Sequence, residues 1–95
     1  KPHPPVIVQG LNDLKIRDGD SATLECRVEG NPEPSVVWFR EASLIQATPD
    51  FMQFHEGDTY TLSIREVFPE DTGRYTMVAK NPYGTATCST EIMVE

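Results

Sequence analysis

Apolar and polar residues alternate along most of this chain, in short runs that turn residues separate. The clearest run is Ala22 to Glu29, in which every second residue is apolar. A repeat of two residues is typical of a β-strand with one face buried. The alternation recurs at Tyr60 to Ile64, Tyr75 to Ala79 and Thr85 to Val94. This pattern predicts an all-β fold of seven to nine strands in two packed antiparallel sheets.

Turn residues lie on both sides of the strand that contains Tyr75. Asp71-Thr72-Gly73 precedes it, and Asn81-Pro82-Tyr83-Gly84 follows it. Asp bonds local backbone and Gly tolerates positive φ, so the first segment predicts a tight corner and the second a hairpin. A buried tyrosine just after a corner reaches back to upstream backbone with its hydroxyl. A hairpin that turns at Pro82-Tyr83 also places Cys88 directly across from Met77.

The first five residues predict an extended segment. Lys1-Pro2-His3-Pro4-Pro5 contains three prolines, which exclude a helix and favour a stiff connector. We therefore expect a linker over residues 1–5 and a single domain over residues 6–95. Val6-Ile7-Val8 predicts a short edge strand at the start of that domain.

Composition restricts the classes of partner. A chain of 95 residues supports one core, and its 8 Lys and Arg against 15 Asp and Glu give a net charge of −7. Nucleic acids and anionic membrane surfaces require clustered cations, so neither is expected as a partner. No apolar run approaches the roughly 20 residues of a membrane helix. Two cysteines allow one disulfide at most, and no Asn-x-Ser/Thr acceptor is present, which together favour a reducing compartment.

Candidate catalytic or metal-binding chemistry is sparse. Cys26 could pair with His3 or His55 as a thiol and an imidazole, but Cys26 falls on an inward strand face and the histidines in a leader and at a turn. The cysteines and histidines include no closely spaced pair of the kind that zinc sites use. Asp71 is a candidate acid, but its place in the turn before Tyr75 accounts for it fully. We expect no enzymatic activity, no cofactor, no metal and no small-molecule ligand.

Several separated landmarks resemble a known family. Cys26, Trp38, Asp71-Thr72-Gly73-Arg74-Tyr75 and Asn81-Pro82-Tyr83-Gly84 occur in an order and spacing similar to that of immunoglobulin domains of the intermediate set. The likeness is strongest to the intracellular muscle and cytoskeletal modules of titin, kettin, twitchin, palladin and myotilin. It implies a two-sheet sandwich with Greek-key connections. It also implies that Met77 stands at the family's second cysteine position, so that the usual bridge between the sheets cannot form.

The resemblance and the alternation together identify candidate residues. With Met77 filling the gap against Cys26 and Trp38, we expect no disulfide and two free buried thiols. The expected structural core is Cys26, Trp38, Leu62, Tyr75, Met77 and Cys88. The candidate partner contacts are Val37, Phe39, Val78, Pro82 and Tyr83.

The resemblance implies a structural and protein-interaction module in a cytoplasmic sarcomeric or cytoskeletal tandem array. Its expected partners are proteins and neighbouring immunoglobulin or fibronectin modules. We expect Asp13–Arg17 to pair in parallel with Cys88–Glu95 and to resist shear, so that a proline at Lys15 weakens the module. Two alternatives stay open: an extracellular adhesion or receptor module, and a regulatory module beside a kinase domain.

Overall fold

Nine β-strands make up most of the molecule. The computed structural model describes all residues, Lys1–Glu95. The strands are β1 His3–Gln9, β2 Leu14–Ile16, β3 Ala22–Asn31, β4 Ser35–Arg40, β5 Ser43–Leu44, β6 Phe51–Glu56, β7 Thr59–Ile64, β8 Gly73–Asn81 and β9 Gly84–Val94. A single 3-10 turn, Pro69–Asp71, lies between β7 and β8. The strand number agrees with the prediction.

The strands form a four-stranded sheet, in the order β1-β3-β7-β6, and a five-stranded sheet, in the order β2-β9-β8-β4-β5. All neighbours are antiparallel except β2 and β9, which are parallel. The chain crosses from one sheet to the other after β1, β2, β3, β5 and β7, so that β3 pairs with β7 and β4 with β8. The expected sandwich with Greek-key connections is confirmed.

The alternating sequence pattern explains which side chains enter the core. On β3 the apolar residues Ala22, Leu24, Cys26 and Val28 are all buried, whereas the residues between them are exposed. The same alternation buries three apolar residues on β7 and three on β8: Tyr60, Leu62, Ile64, Tyr75, Met77 and Ala79. The whole core comprises 13 apolar residues. Burial of each large aliphatic or aromatic side chain stabilises the fold by about 1.5–3 kcal/mol. The sandwich is therefore held together mainly by these inward rows.

The first strand begins earlier than expected. β1 starts at His3, which pairs with Asn31 on β3, and Pro5 is buried. The segment expected to be a connector over residues 1–5 therefore contributes its last three residues to the sheet. Proline is tolerated there because β1 is an edge strand whose outer side needs no donor. The register shifts of β1 against β3 also interrupt the ladder at this edge.

The two ends of the chain lie at opposite ends of the molecule. Gly84 packs against Pro4 near the start of β1. From Gly84 the 11 residues of β9 run away from that end as far as Val94. A strand of that length spans about 35 Å, most of the 44 Å long axis.

Candidate functional site

The centre of the core joins the two sheets. Trp38 on β4 and Met77 on β8 are direct cross-strand partners in the five-stranded sheet. Cys26 belongs to the four-stranded sheet, and all three side chains are buried. Leu62 and Tyr75, the other two central residues expected from the sequence, are buried as well. The side chains of Met77, Cys26 and Trp38 thus belong to one apolar cluster between the sheets.

Cys88 differs from the expectation of two buried thiols. It lies opposite Met77, as the hairpin predicted, but is only half-buried. Its Sγ accepts a hydrogen bond of 3.1 Å from the backbone N–H of Leu11. The reason is that this flank of β9 meets the bend after β1, so Cys88 lies at the margin of the core.

The thiol of Cys26 is the more strongly perturbed of the two. Both cysteines are free. Burial, followed by the charges of the nearby Cys88 and Glu25, raises the pKa of Cys26 to about 12. Cys26 is thus a protonated core thiol at neutral pH rather than a nucleophile.

A tyrosine corner closes the turn before β8. The hydroxyl of Tyr75 donates a 2.6 Å hydrogen bond to the backbone carbonyl of Asp71, and the tyrosine is fully buried. The carboxylate of Asp71 accepts the backbone N–H of Phe68 at 2.8 Å and lies 3.4 Å from Nη1 of Arg40. Burial, followed by the charge of Asp71, raises the pKa of Tyr75. Asp71 therefore has the turn role that the sequence predicted.

The parallel ladder between β2 and β9 is where the sequence placed it. Leu14, Lys15 and Ile16 pair with Ile92, Met93 and Val94. Beyond β2, the N–H of Glu95 bonds the carbonyl of Ile16 at 2.8 Å, and the N–H of Asp18 bonds the carbonyl of Glu95 at 2.9 Å.

These bonds decide which backbone groups of β2 face β9. Alternate residues of a parallel strand bond the same neighbour. Ile16 and Asp18 therefore face β9, and Lys15 faces away from it. The expectation that a proline at Lys15 removes a donor from this ladder is wrong. The N–H that the register directs at β9 belongs to Ile16.

An apolar surface lies on the outer face of the five-stranded sheet. Val37 on β4 and Val78 on β8 are direct partners, and Phe39 lies one row further along β4 beside Thr76. Val37 is 40% exposed, and Phe39 and Val78 are half-buried. The structure thus brings together the three residues that the sequence grouped as a candidate contact.

The β8–β9 turn presents Pro82 and Tyr83 at the end of the molecule where the chain begins. Both are exposed, and 56% of Tyr83 is accessible. Asn81, just before them, is buried: its Nδ2 donates to the carbonyls of His3 at 2.9 Å and Pro32 at 3.0 Å, and its Oδ1 accepts the N–H of Tyr83 at 2.9 Å. The sequence pattern indicates only a turn at Asn81, whereas in the fold its side chain links three segments.

The remaining polar side chains are mostly engaged with one another. His55 stacks on Tyr60 at 4.2 Å between ring centroids. Arg27 bonds Asp58 at 3.0 Å, which lowers the pKa of Asp58. A recess of about 500 Å³ contains Arg40, whose Nη1 donates to the carbonyl of Glu70 at 2.9 Å. No group of three or more His, Cys, Asp or Glu side chains is placed to hold a metal ion, and no helix has the length and apolar character needed to cross a membrane.

The fold is an immunoglobulin-type β-sandwich. Three features define it: the Greek-key connections, the buried tryptophan between the sheets and the tyrosine corner. The family model described as "Immunoglobulin I-set domain" matches residues 5–94. The chain belongs to the immunoglobulin I-set family.

Its relatives include muscle and cytoskeletal proteins. The chain is 46% identical over 96 residues to titin of Drosophila melanogaster, covering 100% of this chain and 0% of the relative to the nearest per cent. It is 43% identical over 96 residues to palladin of Mus musculus, covering 99% of this chain and 7% of the relative. The solved structure of titin domains Z1Z2 in complex with telethonin superposes with a TM-score of 0.95 and 40% identity, over 100% of this chain and 48% of that one. The resemblance to muscle immunoglobulin modules is confirmed, and the chain spans less than a tenth of the length of these two curated relatives.

Proposed function

We propose that this chain is a load-bearing and protein-binding module of a longer, tandem-immunoglobulin protein of the sarcomere or cytoskeleton. The module carries tension between its neighbours and binds them through non-catalytic surfaces. The titin and palladin relatives support this assignment.

The parallel ladder between β2 and β9 is the observation that carries the load-bearing role. β9 leads directly to the last residue, so tension on the ends pulls β9 along the direction of its ladder with β2. Under this geometry the bonds of Leu14, Ile16 and Asp18 to β9 must break together rather than one after another. Simultaneous rupture resists force more strongly than sequential opening.

Pulling the module by its two ends in a single-molecule instrument tests this role. Ile16→Pro removes the N–H that the register directs at β9, so we expect a clearly lower unfolding force. Ile16→Ala keeps that N–H and measures the contribution of side-chain packing alone. Lys15→Pro is the matched backbone control, because the N–H it removes faces away from β9, and its unfolding force should stay close to that of the unmodified module.

An equal loss of force in Ile16→Pro and Ile16→Ala would show that packing, and not the ladder, resists tension. An equal loss of unfolding force in Ile16→Pro and Lys15→Pro would show that the hydrogen bonds between β2 and β9 do not determine the unfolding force. Either result contradicts the load-bearing role.

The protein-binding role is supported by two exposed surfaces and by one relative. Val37, Phe39 and Val78 form an apolar surface on one sheet, and Pro82 and Tyr83 project from one end. We propose the first for protein partners and the second for a neighbouring module. The titin Z1Z2 domains, 40% identical to this chain, have been solved in complex with telethonin. The free cysteines suit the reducing cytoplasm, where we place the module.

A further inference from the structure

The four edge strands of the two sheets are protected to different degrees. β1 has prolines at its second and third residues, Pro4 and Pro5, and is interrupted by register shifts against β3. β2 has 3 residues and β5 has 2, so neither offers a long ladder. The part of β9 that does not pair with β2 is covered in two places: Gly84 lies against Pro4, and the Sγ of Cys88 accepts the N–H of Leu11. Short strands, prolines and irregular pairing are the devices by which proteins discourage edge pairing.

β6 lacks these devices, and its edge is covered only at the start, where Thr48 bonds the backbone of Phe51 and the side chain of Gln53 donates to the carbonyl of Ile45 at 3.2 Å. Its 6 residues, Phe51–Glu56, pair with β7 in an unbroken register and include no proline, lysine or arginine. An edge strand of this kind is a template for another extended chain.

Two residues of β6 present free backbone groups at this edge. The N–H of Arg65 bonds the carbonyl of Asp50, which identifies alternate residues of β6 as those that bond β7. Phe51 faces the opposite way and exchanges hydrogen bonds of 3.1 Å with Thr48. Gln53 and His55 share the orientation of Phe51, so their N–H and C=O groups point to the open edge.

The side chains beside this edge form two distinct surfaces. Met52 and Phe54, on the outer face, are 45% and 51% exposed. A recess of about 480 Å³ that includes Ala47 and Pro49 adjoins Met52. On the other side of β6, a recess of about 260 Å³ separates it from β4. An added strand would therefore direct alternate side chains to Met52 and Phe54 and into the recess next to β4.

The charges around this edge select the chemistry of the added strand. Glu33, whose carboxylate lies 3.4 Å from His55, is 69% exposed, and Glu56 ends the strand in solvent. Neither forms an ion pair with a lysine or an arginine, whereas Asp50 is matched by Arg65 at 3.7 Å. A second copy of this chain, with its net charge of −7, would bring more carboxylates to the edge. A basic segment complements it.

We propose that the open edge of β6 binds an extended segment of a partner protein in which apolar and basic residues alternate. The segment adds a strand to the four-stranded sheet through the backbone groups of Gln53 and His55. Its apolar side chains lie on Met52 and Phe54, and its basic side chains lie over the recess towards Glu33. This inference rests on the proposed protein-binding role and names the surface and the class of partner.

A short synthetic peptide that alternates valine with arginine is the probe. Added to the isotope-labelled module at physiological salt, it should shift the amide signals of Gln53 and His55 and slow their hydrogen exchange. A peptide of the same composition with its arginines in one block has the same charge but no alternation. An alternating valine and glutamate peptide keeps the alternation and reverses the charge. We expect both to bind at least about tenfold more weakly, a difference that corresponds to about 1.4 kcal/mol.

Two variants and one control locate the site. Phe54→Lys removes the apolar contact and repels a basic strand, and His55→Pro removes a free N–H without touching the bonds to β7. Each should weaken binding of the alternating peptide about tenfold. Lys15→Pro removes an outward N–H from β2, on the other sheet, and should leave binding unchanged. If His55→Pro does not fold, Phe54→Lys and the exchange measurement still decide the question.

Four results would overturn the inference: no binding of the alternating peptide, equal binding of the block peptide, amide shifts confined to other strands, or self-association of the module through β6. The pulling experiment separates this failure from failure of the proposed function. If the peptide does not bind but Ile16→Pro still lowers the unfolding force, only the β6 site is rejected. If the peptide binds and Ile16→Pro has no effect, the load-bearing role is rejected instead.

Discussion

Trp38 and Met77 face each other on neighbouring strands at the centre of the sandwich, and neither is accessible to solvent by more than 1%. In a domain with a disulfide between the sheets, that bond constrains the unfolded chain and so contributes to stability. Here Met77 and Cys26 occupy the interior without a covalent bond. Apolar contact alone therefore holds the sheets together at this point.

Removal of the Met77 side chain should be costly. We expect Met77→Ala to lower the free energy of unfolding by about 2–5 kcal/mol, because the vacated space cannot fully collapse. Met77→Leu conserves volume and should cost less than about 1.5 kcal/mol. Met93→Ala, at a residue 52% exposed on β9, should change stability by no more than about 0.5 kcal/mol. Urea denaturation measures all three, and a similar loss for Met77→Ala and Met93→Ala would contradict the packing role.

The tyrosine corner should contribute through its hydrogen bond. Tyr75→Phe keeps the ring but leaves the buried carbonyl of Asp71 without its partner, so we expect a loss of about 1–3 kcal/mol. Tyr60→Phe is the matched control, since the hydroxyl of Tyr60 meets the carbonyl of Pro34 only at 3.4 Å. Its loss should be smaller. Thermal or urea denaturation that ranks the two variants in the reverse order would reject this role for the corner.

Asn81 should tie the first strand to the body of the domain. Asn81→Ala removes both donors to His3 and Pro32 and the acceptor of Tyr83, so a loss of about 1–3 kcal/mol is expected. Hydrogen exchange of β1 amides should speed up in the same variant. Asn12→Ala, at an exposed residue whose side chain makes no hydrogen bond, should have little effect. Unchanged exchange in β1 would mean that Asn81 does not hold this strand.

The Cys26 thiol should make stability fall at alkaline pH. Its pKa is raised from 9.0 to about 12 by burial. Since the folded state holds the proton more tightly than the unfolded state, the stabilisation is fully present below about pH 9 and is lost as pH rises towards about 12. Cys26→Ala has no thiol to titrate. The difference in unfolding free energy between the original chain and this variant should therefore shrink between about pH 8 and about pH 11.

Urea denaturation of both proteins at several pH values makes this comparison. Titration of Tyr75, whose raised pKa does not depend on Cys26, occurs in both proteins and cancels in the difference. A difference that stays constant over this range would show that Cys26 keeps its ordinary pKa.

The local sequence pattern was sufficient to predict which side chains face the core and where the tyrosine corner lies. The alternation of Leu24 and Cys26 with charged neighbours placed both in the core, because a strand directs successive side chains to opposite faces. The tight turn at Asp71 indicated that Tyr75 would reach back to it. The hairpin at Pro82-Tyr83 was enough to place Cys88 opposite Met77.

Residues at the margins of the sheets could not be placed in the same way. His3 belongs to a strand because it pairs with Asn31 on β3, and Asn81, 78 positions later in the chain, donates a hydrogen bond to its carbonyl. Cys88 is half-buried because the bend at Leu11 packs on its flank. Nothing near either residue in the chain encodes these contacts.

The amino-acid sequence by itself determined the class of fold, the face to which each core side chain points and the absence of the usual inter-sheet cysteine pair. Periodicity and turn chemistry are local, so they can be read without knowing what the strand meets. Only the tertiary structure decided that Ile16 and not Lys15 faces β9, and that β6 is left open. Both depend on which strands become neighbours and in what register, and this is settled by long-range packing rather than by local sequence.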